Sequence, residues 1–170
     1  KRDWSSDVCS SDLGNIMWDK LKKIFGYAWA GPVTLVGLAY AWSLYALGWY
    51  EWHGVEGDAL VWIVDEERSP GFLLRLWQGW SGHAIGNVVV LREKPSSGVT
   101  LKHEQKHVDQ CMRLGIFQPI VYGLSWMALR LGCPGSDPYY SNPFEIDARR
   151  HAGQLVDVEG ALKKIRERKR

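Results

Sequence analysis

Cysteine is scarce in this chain, and neither sign of charge dominates. The three cysteines form no C-x-x-C pair and no zinc-finger spacing, which excludes a small thiolate zinc module. Lysine and arginine exceed aspartate and glutamate by only two, so the charge does not argue for a nucleic-acid partner. No segment repeats. The chain is long enough for one domain with a sizeable core.

Charge is also absent locally. Residues 24–50 carry no charged side chain. Past Pro32 this run reads VTLVGLAYAWSLYALGWY, which by itself is about the length a bilayer requires. Trp29 and Trp49 lie near its ends, where indole rings favour an interface. The reading adopted is an N-terminal membrane helix within residues 17–52. Two others stay open: a buried core helix, and a signal peptide with Ala39-Tyr40-Ala41 as its cleavage site. Apolar sequence continuing past that point argues against cleavage. Lys20, Lys22 and Lys23 precede the run, so the positive-inside rule places the N-terminus in the cytoplasm. A single inner-membrane crossing would then put the rest of the chain in the periplasm or outside. A peripheral or buried run would leave it on the cytoplasmic side.

Residues 1–16 are set apart. Within them DVCSSDL resembles the translation of a sequencing-library adapter, and the stretch is read as artefact or disordered sequence, with Met17 as the natural start. Setting Cys9 aside leaves Cys111 and Cys133, read as two buried thiols rather than a disulfide.

What the chain does have is His103-Glu104-Gln105-Lys106-His107, an H-E-x-x-H pattern. On a helix, residues four apart share a face, so both imidazoles can reach one metal ion. Neutral imidazoles and a carboxylate suit zinc with a fourth position left open, and Glu104 is placed as general base toward a water there. The other reading of the pentapeptide is a solvated helix face. The motif helix is expected over residues 99–114, with Thr100 as N-cap and Gly115 as its stop.

Around it, residues 51–58 read as a polar break and 59–64 as a buried strand. Residues 65–71 read as a charged turn and 72–80 as a short helix, with a turn at 81–83. Residues 84–91 read as a second strand, the natural edge to hold an extended substrate. His83 is weighed as a site residue against a solvated turn histidine. Residues 116–131 read as a helix buried against the motif helix, or alternatively lying at a membrane interface. A crossing there would separate His107 from any downstream ligand by the bilayer. A second helix opens at Asn142-Pro143-Phe144-Glu145, with Asn142 as N-cap. Glu145 is then either a third metal ligand or a capping-box glutamate. The tail, 161–170, is basic.

HEQKHVDQ together with NPFEIDA resembles the minimal gluzincin-type zinc metallopeptidases of bacteria. Gly86-Asn87-Val88-Val89-Val90-Leu91 matches a strand in an uncharacterised bacterial family that carries both motifs in this order. The resemblance implies an α+β, zincin-like domain over residues 53–160, with a small sheet beside the motif helix. It implies Zn2+ held by His103, His107 and Glu145, Glu104 as general base, and a peptide or protein substrate at a membrane. It places Asp147 near a partner for a ligand histidine, although two residues after Glu145 rather than the usual four. Tyr139, Tyr140, Arg149 and His151 are nearby candidates to donate to an oxyanion. Two other functions stay open: an inactive zincin-like membrane-associated interaction module, and a metal-dependent amidase acting on a cell-wall substrate.

Overall fold

The computed structural model describes residues 5–77, 79–92, 94, 98–133, 137–154 and 156, with side chains from residue 14 onward. The chain is α+β. In order it forms α1 (Ser5–Ala46), β1 (Tyr50–Glu56), β2 (Ala59–Val64), α2 (Gly71–Leu76), β3 (Gly82–Ile85), β4 (Val88–Leu91), α3 (Val99–Leu114), α4 (Phe117–Gly132) and α5 (Pro143–His151). The basic tail at 161–170 lies outside the described residues.

The four strands form one mixed sheet in the order β1-β2-β4-β3. β2 and β4 are central and parallel, and both outer pairings are antiparallel. Central strands bury both faces, which is why ALVWIV and VVVL are continuous apolar runs. Tyr50, Trp62, Val64, Val88 and Val90 face one layer, with Ala41 of α1 and with Leu73 and Trp77. Ala59, Val61, Val89 and Leu91 face the other, against Leu101 and Val108 of α3. The sheet is thus sandwiched between α1 with α2 and the motif helix.

Two expectations about strands change. Residues 51–58 are mostly β1, an exposed edge strand with a register shift between Trp52 and Gly54. Its alternation is broken by that bulge, so the sequence reads as a polar break. The span 84–91 is two strands rather than one, folded at Gly86-Asn87, and the turn expected at 81–83 is largely β3. Gly86 has φ 62, and a Cβ there would run into the backbone of Thr34. The free edge beside the motif helix is therefore β3, not the interior β4.

α1 is a single helix through Pro32 and includes residues 5–16. Its segment Gly14–Ala46 is long and apolar enough to cross a membrane, with 22% of its most apolar window buried. One stripe packs on the domain through Gly26, Ala30, Thr34, Gly37 and Ala41. Thr34 Oγ1 lies 2.9 Å from Asn87 Oδ1 and accepts from the Asn87 N–H at 3.1 Å. Asn87 Nδ2 donates to the Asp58 carbonyl, so this residue fastens α1 to the sheet. The opposite face exposes Leu35, Val36 and Trp42.

α4 departs from its expected burial: none of its residues is buried. The two cysteines differ as well, Cys111 being buried and Cys133 exposed.

Candidate metal centre

α3 runs from a left-handed Gly98 (φ 68), which replaces Thr100 as N-cap, to Gly115 (φ 58), where a Cβ would strike the indole of Trp29. Leu101, Val108 and Cys111 hold one face in the core. That seating turns His103, Glu104 and His107 inward. α5 starts at Asn142, whose Oδ1 accepts from the Phe144 N–H at 3.1 Å, and Pro143 occupies the first helical position. Glu145 does not reach back to cap the helix; it points at the two histidines.

The three side chains converge. Nε2 of His103 and Nε2 of His107 are 3.2 Å apart. Glu145 Oε2 is 3.3 Å from the first, and Oε1 is 3.3 Å from the second. Ligands about 2.05 Å from a shared tetrahedral centre stand about 3.3 Å from each other. The side chains are 9%, 11% and 4% exposed respectively. A buried group of this composition could hold a metal ion, and it is the one such cluster among the described residues.

The protonation pattern supports this. His103 Nδ1 lies 3.0 Å from Gln154 Oε1, and His107 Nδ1 lies 2.9 Å from Gln110 Oε1. Gln110 Nε2 donates to the Phe144 carbonyl and to Asp147 Oδ2, so its oxygen is the atom that faces His107 and accepts from Nδ1–H. With the Gln154 oxygen facing His103 in the same way, both Nε2 lone pairs point inward. Glu145 Oε2 is buried with no hydrogen-bond partner. Two ring lone pairs and one unsatisfied carboxylate oxygen therefore share a small volume, a donor set that a single cation can satisfy. Burial opposes charge on His107, but Glu145 and Glu104 outweigh it and raise its pKa. Burial would raise Glu145, yet the histidines beside it hold its carboxyl far below the usual range.

Glu104 is buried, 5% exposed, and burial pushes its carboxyl up to about 7 against the pull of His107 and His103. It packs against β3: a Cβ on Gly82 would sit 3.2 Å from Glu104 Cγ and Oε1. A carboxyl with a pKa near neutrality can both accept and return a proton.

The remaining candidates separate. Asp147 touches neither histidine. Its Oδ2 accepts from Gln110 Nε2 at 2.9 Å, so it acts on His107 through that amide. Tyr139 is close enough for Glu145 to reinforce the effect of burial and raise its hydroxyl further. The Arg149 guanidinium stacks on Tyr139 and Tyr140 at 5.0 and 4.3 Å, and its Nη2 is 3.8 Å from Glu145 Oε2. His151 is exposed at the end of α5, six residues past Glu145 and on a different face. It does not join the cluster. His83 is on β3, with its ring against Tyr40, Trp77 and Trp80.

Three residues that sequence reasoning missed complete the surroundings. Tyr122 of α4 donates its hydroxyl to Glu145 Oε1 at 2.9 Å. Gln110 and Gln154 orient the imidazoles. Only Gln110 leaves a trace in the sequence, three residues after His107 on the same helix face. No protein-family model, curated protein or solved structure matches the chain.

Proposed function

We propose that this protein is a zinc-dependent metallopeptidase of gluzincin type, associated with a membrane. The observation that carries the reading is the convergence of His103 Nε2, His107 Nε2 and Glu145 at tetrahedral ligand spacing. The buried Glu104 stands in the adjacent position on the same helix. The donor set of two imidazoles and a carboxylate suits zinc and leaves a fourth position open.

Zinc bound there would polarise a substrate carbonyl and lower the pKa of a water. The chain's own residues do the rest. Gln110 and Gln154 keep both imidazoles in the Nδ1–H tautomer. Tyr122 holds Oε1 of Glu145 and leaves Oε2 as the oxygen that would be available to a metal. Glu104 takes a proton from the attacking water and hands it to the leaving amine. β3 offers an unpaired backbone edge beside Glu104, along which an extended peptide can add as a fifth strand. Arg149, 3.8 Å from Glu145 Oε2, and Tyr139, whose hydroxyl feels Glu145, are donors beside the cluster that could meet developing negative charge.

The membrane part of the reading rests on α1. Lys23 Nζ lies 2.6 Å from Asp58 Oδ1 in the β1–β2 turn, so Lys20, Lys22 and Lys23 stand on the same side of the membrane as the site. By the positive-inside rule that is the cytoplasmic side, rather than the periplasmic one expected from a single crossing.

The test is hydrolysis of a peptide library by the full chain loaded with zinc. Cleavage that Glu104→Gln abolishes while zinc is retained supports the reading. Loading with zinc and no cleavage of any peptide contradicts it.

A further inference from the structure

α4 is the least accounted-for element in the fold. It has 16 residues, none of them buried. Its half-buried stripe is Gln118, Tyr122, Ser125 and Leu129, which are three to four residues apart. Elsewhere it exposes large apolar side chains, among them Ile120 at 54%, Leu124 at 56%, Trp126 at 43%, Met127 at 47% and Leu131 at 76%. At 100° per residue, the exposed side chains from Trp126 round to Val121 cover an arc of about 220°, in which Arg130, near the Trp126 edge, is the one charged residue. A single packing face of an amphipathic helix is a stripe of roughly 100°, and an arc twice that width is that of a helix enclosed by apolar surroundings on several sides.

Three further features identify the medium. First, the exposed surface continues into α1: Trp29 packs against Phe117 at 6.0 Å and against Phe25 at 6.2 Å. Residues 14–46 of α1 are long and apolar enough for a bilayer. Second, α4 leaves the domain at Gly115 and returns to it at Asn142. Its own Tyr122 carbonyl lies 3.4 Å from Asn142 Nδ2. At 1.5 Å per residue it is about 24 Å long, short of the roughly 30 Å hydrocarbon core. It therefore lies in one leaflet and does not cross. Third, exposed Lys20 on α1 and Arg130 on α4 border the apolar surface where anionic headgroups would lie, beside Lys22, which is paired with Asp19 at 3.3 Å.

We propose that α4 lies in the headgroup and acyl boundary of an anionic lipid bilayer, and that the metal centre consequently works at the membrane surface. The substrate class that follows is polypeptide lying along that surface, such as stretches adjoining a membrane anchor. Tyr122 sets the distance: its hydroxyl is bonded to Glu145, while Trp126, one turn on, is on the lipid arc. The centre is then within about one helix diameter, 10–12 Å, of lipid. The placement of α4 stands by itself; the substrate class rests on the peptidase reading.

The test uses the full chain with Cys9 and Cys133 changed to Ser and one nitroxide on a cysteine introduced by Leu124→Cys, Leu131→Cys or Glu51→Cys. It is reconstituted in vesicles of phosphatidylcholine and phosphatidylglycerol. At positions 124 and 131 oxygen should relax the label more than a water-soluble nickel chelate does, and at 51 the order should reverse. Nickel relaxation at 124 and 131 equal to that at 51 overturns the proposal. Shielding from both reagents also overturns it, since that places α4 against a second protein surface. In a second arm the unlabelled chain is given one peptide free and tethered to the vesicle. Tethered cleavage at least tenfold faster is expected, and equal rates overturn the substrate class. Cleavage of neither peptide strikes the peptidase reading and the substrate class together, while the nitroxide result still decides where α4 lies.

Discussion

Tyr122 and Glu145 sit on different helices, and the hydroxyl of the first donates to Oε1 of the second at 2.9 Å. That bond commits one carboxylate oxygen and leaves Oε2 as the atom without a partner. Tyr122→Phe removes the bond and keeps the ring. Zinc affinity should fall by roughly 10- to 100-fold, the usual effect of losing a partner that orients a ligand. The metal-free protein should also lose about 1–3 kcal/mol of stability, because a buried carboxylate oxygen is left without its donor. Competition with a chromophoric chelator measures the first quantity, and a thermal melt the second. Unaltered affinity would remove Tyr122 from the account.

Glu104→Gln keeps shape and volume but cannot accept a proton. Hydrolysis should drop by about 10²- to 10⁴-fold, as for other losses of general acid–base catalysis, with zinc stoichiometry unchanged. A variant that cleaves at the original rate would give the base role to another group. Zinc lost along with activity would mean that Glu104 holds the metal.

The place of Glu104 is legible in the sequence, and so is most of the ligand set. H-E-x-x-H needs only helical spacing to bring His103 and His107 together, and Asn142-Pro143 states where the helix bearing Glu145 begins. These are local signals. Gln154 and Tyr122 come to the site through tertiary packing, which leaves no periodic mark, whereas Asp147 is named from the resemblance and reaches His107 through Gln110. Tyr122 in particular sits in an apolar helix where it reads as another hydrophobic residue. β1 was hidden by its bulge at Trp52 to Gly54, and the β3–β4 turn by the β-branched residues after it. Apolar composition announced α4 but not its exposure, because a core helix and a lipid-facing helix have the same composition.

Gly82 gives a steric test of the contact between β3 and the base. In Gly82→Ala the new Cβ would lie 2.9 Å from Leu91 Cδ2 and 3.2 Å from Glu104 Oε1. Relief of that crowding should lower stability by about 1–3 kcal/mol, the usual cost of overpacking. It should also displace Glu104, so kcat should fall while zinc affinity holds. Urea unfolding, chelator competition and peptide kinetics on one preparation separate these effects. A fully active variant would show that β3 does not confine Glu104.

His83 supplies a pH dependence apart from the metal centre. Burial lowers its pKa from about 6.5 to about 4, because the aromatic rings around it solvate the imidazolium poorly. The unfolded chain takes up a proton near pH 6.5 and the folded one only near 4. The neutral fold keeps its full stability above pH 6.5 and loses it as pH falls toward 4. The loss at the low end amounts to about 3 kcal/mol. Urea unfolding of metal-free protein at several pH values, beside His83→Gln, checks this. The variant should show a shallower decline over that window, and parallel curves would refute the assignment.

The shared ion itself is most directly tested by a crystal structure of the zinc-soaked protein with anomalous data collected at the zinc edge. The account predicts one peak about 2.0–2.2 Å from His103 Nε2, His107 Nε2 and a Glu145 oxygen. A structure with no peak there, or with Glu145 turned from the histidines and bonded to the Asn142 amide, would contradict it.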